Sequence, residues 1–174
     1  MVTAPGYLST TGSVEIRAPA DGDRTRIAAM WERCSLATRM GRFHAPVRHL
    51  PVSYLEAVLG DPDASTVAAV PSTDLLIGIA SLFRAGTSRS AELGVLVEDA
   101  WQLRGIGRRL VSRLVLRAPS RGITVLTASV LACNESVTRP LRQITGAYSA
   151  TITGPILEVT IALHSPVPDD ADSA

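Results

Sequence analysis

Apolar and polar positions change period several times along the chain, and the changes mark its elements. Residues 14–17 alternate briefly, as a first strand does. Beyond Asp21-Gly22-Asp23, the residues Ile27, Met30, Trp31 and Cys34 recur at helical spacing, with Asp21 or Asp23 as the expected cap. Residues 39–49 are basic, aromatic and without period, the pattern of a loop. Residues 51–59 open on Pro51 and stop before Gly60, the signature of a second helix. Ser65–Val70 and Leu75–Phe83 are β-rich runs around Pro71-Ser72-Thr73-Asp74, a hairpin, and 91–97 is a fourth strand. From 105 to about 119, Ile106, Leu110, Leu114 and Val115 form the inward stripe of an amphipathic helix. Residues 123–131 are almost continuously apolar, as in a strand buried on both faces. A short helix is expected over 138–144, with Pro140 in its first turn. Tyr148–Thr153 and 156–163 flank Gly154-Pro155 as a closing hairpin. This order predicts one α/β domain of the α+β type over 13–164, with a mixed sheet of about seven strands and helices on both faces. A disordered leader, 1–12, and an acidic disordered tail, 165–174, are expected on either side.

One junction carries more chemistry than the rest. The strand Val95-Leu96-Val97 runs through a short turn into Gln102-x-x-Gly105-x-Gly107, and a helix follows at once. The first turn of a helix has orphan N–H donors and about half a positive charge from the macrodipole. Two glycines let a bulky anion approach the backbone without meeting a Cβ. The junction therefore reads as a pyrophosphate cradle. A dinucleotide fingerprint would need Gly-x-Gly-x-x-Gly near the start of a βαβ unit, and a triphosphate loop would need Gly-Lys-Ser/Thr. Neither fits, because the glycine order differs and all 17 basic residues are arginine.

Gln102-x-x-Gly105-x-Gly107 after a Val-Leu-Val strand resembles the acyl-CoA signature of the GNAT (GCN5-related) N-acetyltransferase family. The likeness spans about 14–163, and it is nearest to the bacterial protein-lysine acetyltransferases. The opening Val14-Glu15-Ile16-Arg17-Ala18-Pro19 is similar to that group's first strand and helix entry, Arg39 and Arg42-Phe43-His44 to its Arg-Phe segment, and Ala91-Glu92-Leu93 to its glutamate-bearing fourth strand. The resemblance implies a GNAT fold with splayed fourth and fifth strands and acetyl-CoA as cofactor. The pantetheine arm would pair with the backbone of Val95 and Val97, on either side of Leu96. Gln102, Leu103, Arg104, Gly105, Ile106, Gly107 and Arg108 would hold the pyrophosphate, mostly through N–H groups, and Arg104 and Arg108 would add side-chain contacts. It also assigns Glu92 as general base and places Asn134 against the pantetheine or the adenosine end, although Asn is equally a helix cap. Many family members carry a tyrosine that protonates the leaving thiolate; Leu141 stands in that place here, so no acid is assigned.

These assignments meet the requirements of acyl transfer to an amine. The attacking amine must lose a proton, and an alkylammonium with a pKa of about 10.4 needs a base to do so near neutrality. Glu92 among Ala91, Leu93 and Val95 is expected to be desolvated, which raises a carboxyl pKa toward that task. Glu98 and Asp99 would oppose an anion and read as turn residues capping the approach to the helix. Cys133 reads as a buried small hydrophobe with no histidine partner in sequence. His44 and His49 lie in the loop that covers the acceptor side in the family, and Arg39, Arg42, Arg48 and His49 form a basic cluster suited to an acidic protein surface.

Composition limits the alternatives. A chain of 174 residues at 46% hydrophobic and 19% charged suits one soluble domain. A net charge of +1 supplies no field for nucleic acid. Cys34 and Cys133 make neither a disulfide framework nor a metal site. No signal peptide or membrane span is read, so the cytoplasm is the expected compartment. The expected product is an N-acetyltransferase acting on a protein lysine ε-amine, as monomer or homodimer. A small-molecule or amino-acid amine acceptor, or a non-catalytic acyl-CoA sensor, are the alternatives. With no lysine in the chain, such an enzyme offers none of its own side chains as substrate.

Overall fold

The computed structural model describes residues 13–131 and 148–163. A seven-stranded mixed sheet runs through it in the order β1-β2-β3-β4-β5-β7-β6. The strands are β1 (Glu15–Arg17), β2 (Ser65–Val70), β3 (Leu75–Phe83), β4 (Ser90–Val97), β5 (Val125–Leu131), β6 (Tyr148–Thr153) and β7 (Ile156–Ala162), and the helices are α1 (Asp23–Arg33), α2 (Leu36–Phe43), α3 (Val52–Gly60) and α4 (Ile106–Arg117). The helix expected over 138–144, along with Cys133, Asn134 and Leu141, lies outside the described residues.

Both faces of the sheet are covered. On one side α4 buries Ile106, Leu110, Val111 and Leu114 against Ala68, Ile77, Leu93 and Leu126. On the other, Ile27, Met30 and Trp31 of α1 and Tyr54, Leu55 and Val58 of α3 pack on Val67, Ile79 and Leu96. The alternation of β4 serves both: Ala91, Leu93, Val95 and Val97 face α4, and Leu96 faces α1 and α3. Val111, absent from the expected stripe of α4, belongs to it, whereas Val115 is only partly buried.

Pairing within the sheet divides it in two. β4 follows β3 along its length, from Glu92↔Phe83 to Val97↔Gly78. β5 follows β7 from Val125↔Ala162 to Leu131↔Ile156. Between them the parallel register runs only from Ser90↔Val125 to Glu92↔Thr127. Beyond that rung the two strands part, as the resemblance implied. The burial of β5 alternates, with Ser129 exposed, rather than being continuous as its apolar sequence suggested. Its flank beyond Thr127 lies on the opening instead of inside a packed sheet.

Two further expectations are corrected. Residues 39–43 are not loop: they complete α2, which Ser35 caps by accepting the Thr38 N–H at 3.2 Å. This helix has no fully buried residue; Phe43 packs partly buried on the core, and side-chain ties add to that support. Neither aspartate caps α1, whose cap is Gly22 without a side-chain bond. Asp23 instead sits in the first turn, fully buried. It accepts from the Ala20 N–H at 2.8 Å, from both terminal nitrogens of Arg17 at 2.6 and 2.8 Å, and from Arg26 at 3.1 Å.

Asp23 thus joins β1, the turn and α1. Burial alone would raise its carboxyl pKa, but the bonds from Arg17, Ala20 and Arg26 outweigh burial and hold it at about 2. Because this lies below the ordinary 3.8, the stabilisation is complete above that value and is lost as pH falls toward 2. Asp23→Asn is expected to cost about 2 kcal/mol near neutrality. Urea denaturation should show the gap between wild type and variant closing below about pH 4; a gap that stays constant with pH would refute the assignment.

Candidate active site

The turn after β4 builds an anion-binding end on α4. Gly105 caps the helix in the left-handed region, φ +77°, which a glycine adopts freely. A Cβ there would meet nothing within 4 Å, so its constraint is conformational and not steric. Leu103 also has a positive φ, 58°, and is 92% exposed. A branched residue in that region, without packing to hold it, marks stored backbone strain. The first backbone N–H to find a partner in the helix is that of Arg109, on the Gly105 carbonyl at 3.1 Å. None of the N–H groups of 103–108 donates to any acceptor among the described residues. No acidic side chain stands in the first turn of α4. This end of the helix is therefore a run of free donors with the positive pole of the dipole behind it.

The free flank of β4 adjoins this run. The Glu98 N–H bonds to the Ile77 carbonyl at 2.9 Å, so the Glu98 backbone faces β3. Backbone direction alternates along a strand, so the groups of Val95 and Val97 face away from β3, toward the opening between β4 and β5, while Leu96 pairs with Ile79 of β3. The Val97 carbonyl accepts from Gln102 Nε2 at 3.0 Å. The same nitrogen donates to Thr38 Oγ1 of α2, also at 3.0 Å. The Gln102 side chain therefore points into the protein and leaves the anion to the backbone.

Asp99 completes the tie. Its carboxylate accepts from the Ser35 N–H at 2.8 Å, the Ser35 hydroxyl at 2.6 Å and the Thr38 hydroxyl at 2.8 Å. Burial opposes its charge, but these bonds hold its pKa below the usual value. Glu98 pairs with Arg33 at 2.9 Å. Both acids thus serve the α1–α2 corner, whereas the sequence suggested a cap at the approach to α4. Burial, with Asp99 and Glu98 nearby, pushes the Cys34 thiol up to about 11 and keeps it unreactive.

The arginines divide by partner. Arg104 rests 5.1 Å from the centre of the Trp101 ring, and Arg108 is exposed beside it. Arg109 and Arg113 donate to the carbonyls of Val14 and Ile16 and brace β1. Arg39 bonds to the carbonyls of Cys34, Arg48 and Glu32 and lies over Trp31 at 5.0 Å. Arg42 is likewise drawn inward, 10% exposed. The expected basic patch is thus reduced to Arg48 and His49, which are exposed, as is His44.

Glu92 occupies the last paired rung of β4, where the sheet opens. Its surroundings are not the apolar ones expected. The side chain is 52% exposed and stands 3.8 Å from Arg42 Nη1. Asp99, Ser35, Thr38 and the inward turn of Gln102 were not legible as a unit; a Ser35-x-x-Thr38 cap was the one available signal. Free amides at a helix start, an opened strand flank and a carboxylate at the apex together form a site that can grip an acyl-phosphopantetheine chain along its length.

The sequence profile of the acetyltransferase (GNAT) family matches residues 28–142. The chain belongs to the GNAT acetyltransferase family. That gives the enzyme class, an N-acetyltransferase dependent on an acyl-CoA. Among solved structures, the GNAT domain of S. lividans PAT superposes with a TM-score of 0.75 at 19% identity, covering 91% of this chain and 100% of that one. For yncA from Salmonella typhimurium with its cofactor acetyl-CoA the values are 0.67, 18%, 92% and 99%. Diaminobutyrate acetyltransferase EctA from Paenibacillus lautus, in complex with L-2,4-diaminobutyric acid and coenzyme A, gives 0.65, 16%, 87% and 96%. At these identities the likeness is one of fold. No curated protein sequence matches this GNAT chain.

The two left-handed residues of the GNAT turn have opposite expectations. Gly105→Ala should lower stability by about 1 kcal/mol, and Leu103→Asn should raise it by a smaller amount. Urea midpoints of the two variants check both signs, and a fall for Leu103→Asn would show that the turn is not strained there.

Proposed function

We propose that this enzyme transfers the acetyl group of acetyl-CoA directly to a primary amine, with Glu92 as general base, and that the acceptor is a lysine ε-amine of another protein. The observation that carries the reading is the run of unpaired amides over 103–108, adjoining an opened flank of β4. Those amides, from Leu103 through Arg104, Gly105, Ile106 and Gly107 to Arg108, hold the pyrophosphate. The backbone of Val95 and Val97, with Leu96 between them, aligns the pantetheine arm as an added strand would. Arg108 adds charge near the phosphates, and Arg104 does so from its seat on Trp101. Asn134 is assigned to the pantetheine or adenosine end.

Bound acetyl-CoA supplies the activated acyl group; the chain supplies alignment and a proton acceptor. Glu92 takes the proton of the incoming ammonium, directly or through one water, at a point fixed by the last β4–β5 rung. Half exposure suits this role, because a base at an open mouth is reached by an amine on the end of a long side chain of a folded protein. The second reading, a small amino-acid amine, has support from the fold likeness to diaminobutyrate acetyltransferase.

Calorimetry with acetyl-CoA tests the cofactor assignment: absence of binding would remove the whole reading. Glu92→Gln is expected to lower kcat by about 100-fold while the Kd for acetyl-CoA stays within about twofold. Tight binding with no turnover in the wild type would favour the non-catalytic sensor. Incubating a lysate with enzyme and labelled acetyl-CoA should place label on lysines, read by mass spectrometry. Label confined to small amines would select the second reading.

A further inference from the structure

We propose that Arg42 is a positioning residue for acetyl transfer, holding the Glu92 carboxylate at the apex where β4 and β5 part. This rests on the reading of Glu92 as base.

Arg42 projects from the last turn of α2 into an aromatic clamp. Its guanidinium carbon lies 5.0, 5.2 and 5.4 Å from the ring centres of Phe43, Tyr54 and Phe83. The rings brace one another edge-on or tilted, at 5.3 Å for Phe43–Tyr54 and 5.6 Å for Tyr54–Phe83. Below the guanidinium is the backbone of Gly94. A Cβ on Gly94 would come 2.2 Å from Nη2, 2.4 Å from Cζ and 2.6 Å from Nε, so only glycine admits the side chain in this pose. The fourth strand has thus given up a side chain two residues from Glu92, on the same face, to seat this cation.

What the clamp secures is not a strong ion pair. Other arginines of this chain form close carboxylate pairs: Arg17 meets Asp23 at 2.6 and 2.8 Å, and Arg33 meets Glu98 at 2.9 Å. Among the described residues the one carboxylate near Arg42 is Glu92, at 3.8 Å, and the buried Arg42 Nε, like that of Arg113 and Arg121, has no acceptor there. Cation–π attraction to the three rings offsets part of the cost of burying the guanidinium, but an apolar side chain of that size would pack between the rings without that cost. The separation has a chemical use. A bidentate pair would occupy both carboxylate oxygens, whereas a fixed cation at 3.8 Å orients the carboxylate and leaves its lone pairs for an ammonium proton.

Among the described residues, the neighbours leave the orienting task to Arg42. Neither β3 nor β5 carries a charged residue over Leu75–Phe83 or Val125–Leu131. Arg39 is committed to carbonyls, and the α4 arginines lie across the sheet. Tyr54 stays neutral, because burial raises its phenol pKa. The base of α2 is tied to the turn that holds the anion, through Thr38, Gln102 and Asp99. Arg42 thereby sets the base in the same frame as the thioester.

Kinetics of Arg42→Met, Arg42→Lys, Glu92→Gln and the double variant test this, with acetyl-CoA and an acidic lysine-bearing peptide, read as thiol release. Arg42→Met should lower kcat at least about tenfold with the acetyl-CoA Kd within about twofold, and Arg42→Lys should recover part of it. The double variant should be no slower than Glu92→Gln alone. Unchanged kcat in Arg42→Met, or losses that multiply in the double variant, would overturn the proposal while leaving Glu92 as base. Full turnover by Glu92→Gln would remove the base and this proposal together. If Arg42→Met does not fold, Phe83→Leu carries the test: it loosens the clamp and keeps the charge. A severalfold lower kcat at unchanged Kd supports positioning, and unchanged kcat in both Phe83→Leu and Arg42→Lys refutes it.

Discussion

The short parallel rung between β4 and β5 governs the molecule. Each strand is paired along its length on its other side, β4 with β3 and β5 with β7, and they share only the register from Ser90↔Val125 to Glu92↔Thr127. The sheet is therefore two ribbons joined at one short seam. A backbone flank left facing an opening inside a sheet is costly unless its polar groups find partners. Here the Val97 carbonyl is taken by a side chain, and the flank runs toward the N–H groups at the start of α4 that have no partner among the described residues. Glu92 stands at the seam, where the distance between the ribbons is fixed by hydrogen bonds.

The helix α2 translates that geometry into an acceptor side. It buries no residue fully, and Phe43 alone packs partly buried on the core cluster. Asp99 and Gln102 both grip its first turn at Thr38, while Arg42 pins its last turn onto β4. Three polar fasteners add to that packing, and all of them come from, or land on, β4 and the turn that follows it. The glycine turn and Glu92 are parts of one polar construction laid over two apolar cores.

How much of this the sequence disclosed follows from the kind of force involved. Strands with apolar alternation and helices with buried stripes were legible to within a residue or two; β2, β3 and β6 coincide with their expected limits. The glycine turn was legible because a positive φ selects for glycine, although Leu103 adopts one too and gave no sign of it. What stayed hidden was held by side-chain geometry between distant segments. Residues 39–43 read as loop because the ties that make them helical, to Asp99 and Gln102, are about sixty residues away in the chain. Glu92 was placed at the right strand, but its expected burial failed because a parting strand exposes its flank, and period alone does not show where pairing stops. Gly94, which makes room for Arg42, looks in sequence like a weak point of a strand.

The choice of arginine at every brace has a chemical consequence. Asp23, Glu98, the carbonyls of Val14 and Ile16, and the α1–α2 corner are all secured by guanidinium groups. A guanidinium stays protonated at physiological pH and is a poor nucleophile toward thioesters. A protein that gathers a reactive acyl donor onto its own surface is the first target of stray acylation, and an amine-based scaffold would lose its charges one by one. This scaffold does not erode in that way: its ion pairs outlast the reagent that it handles.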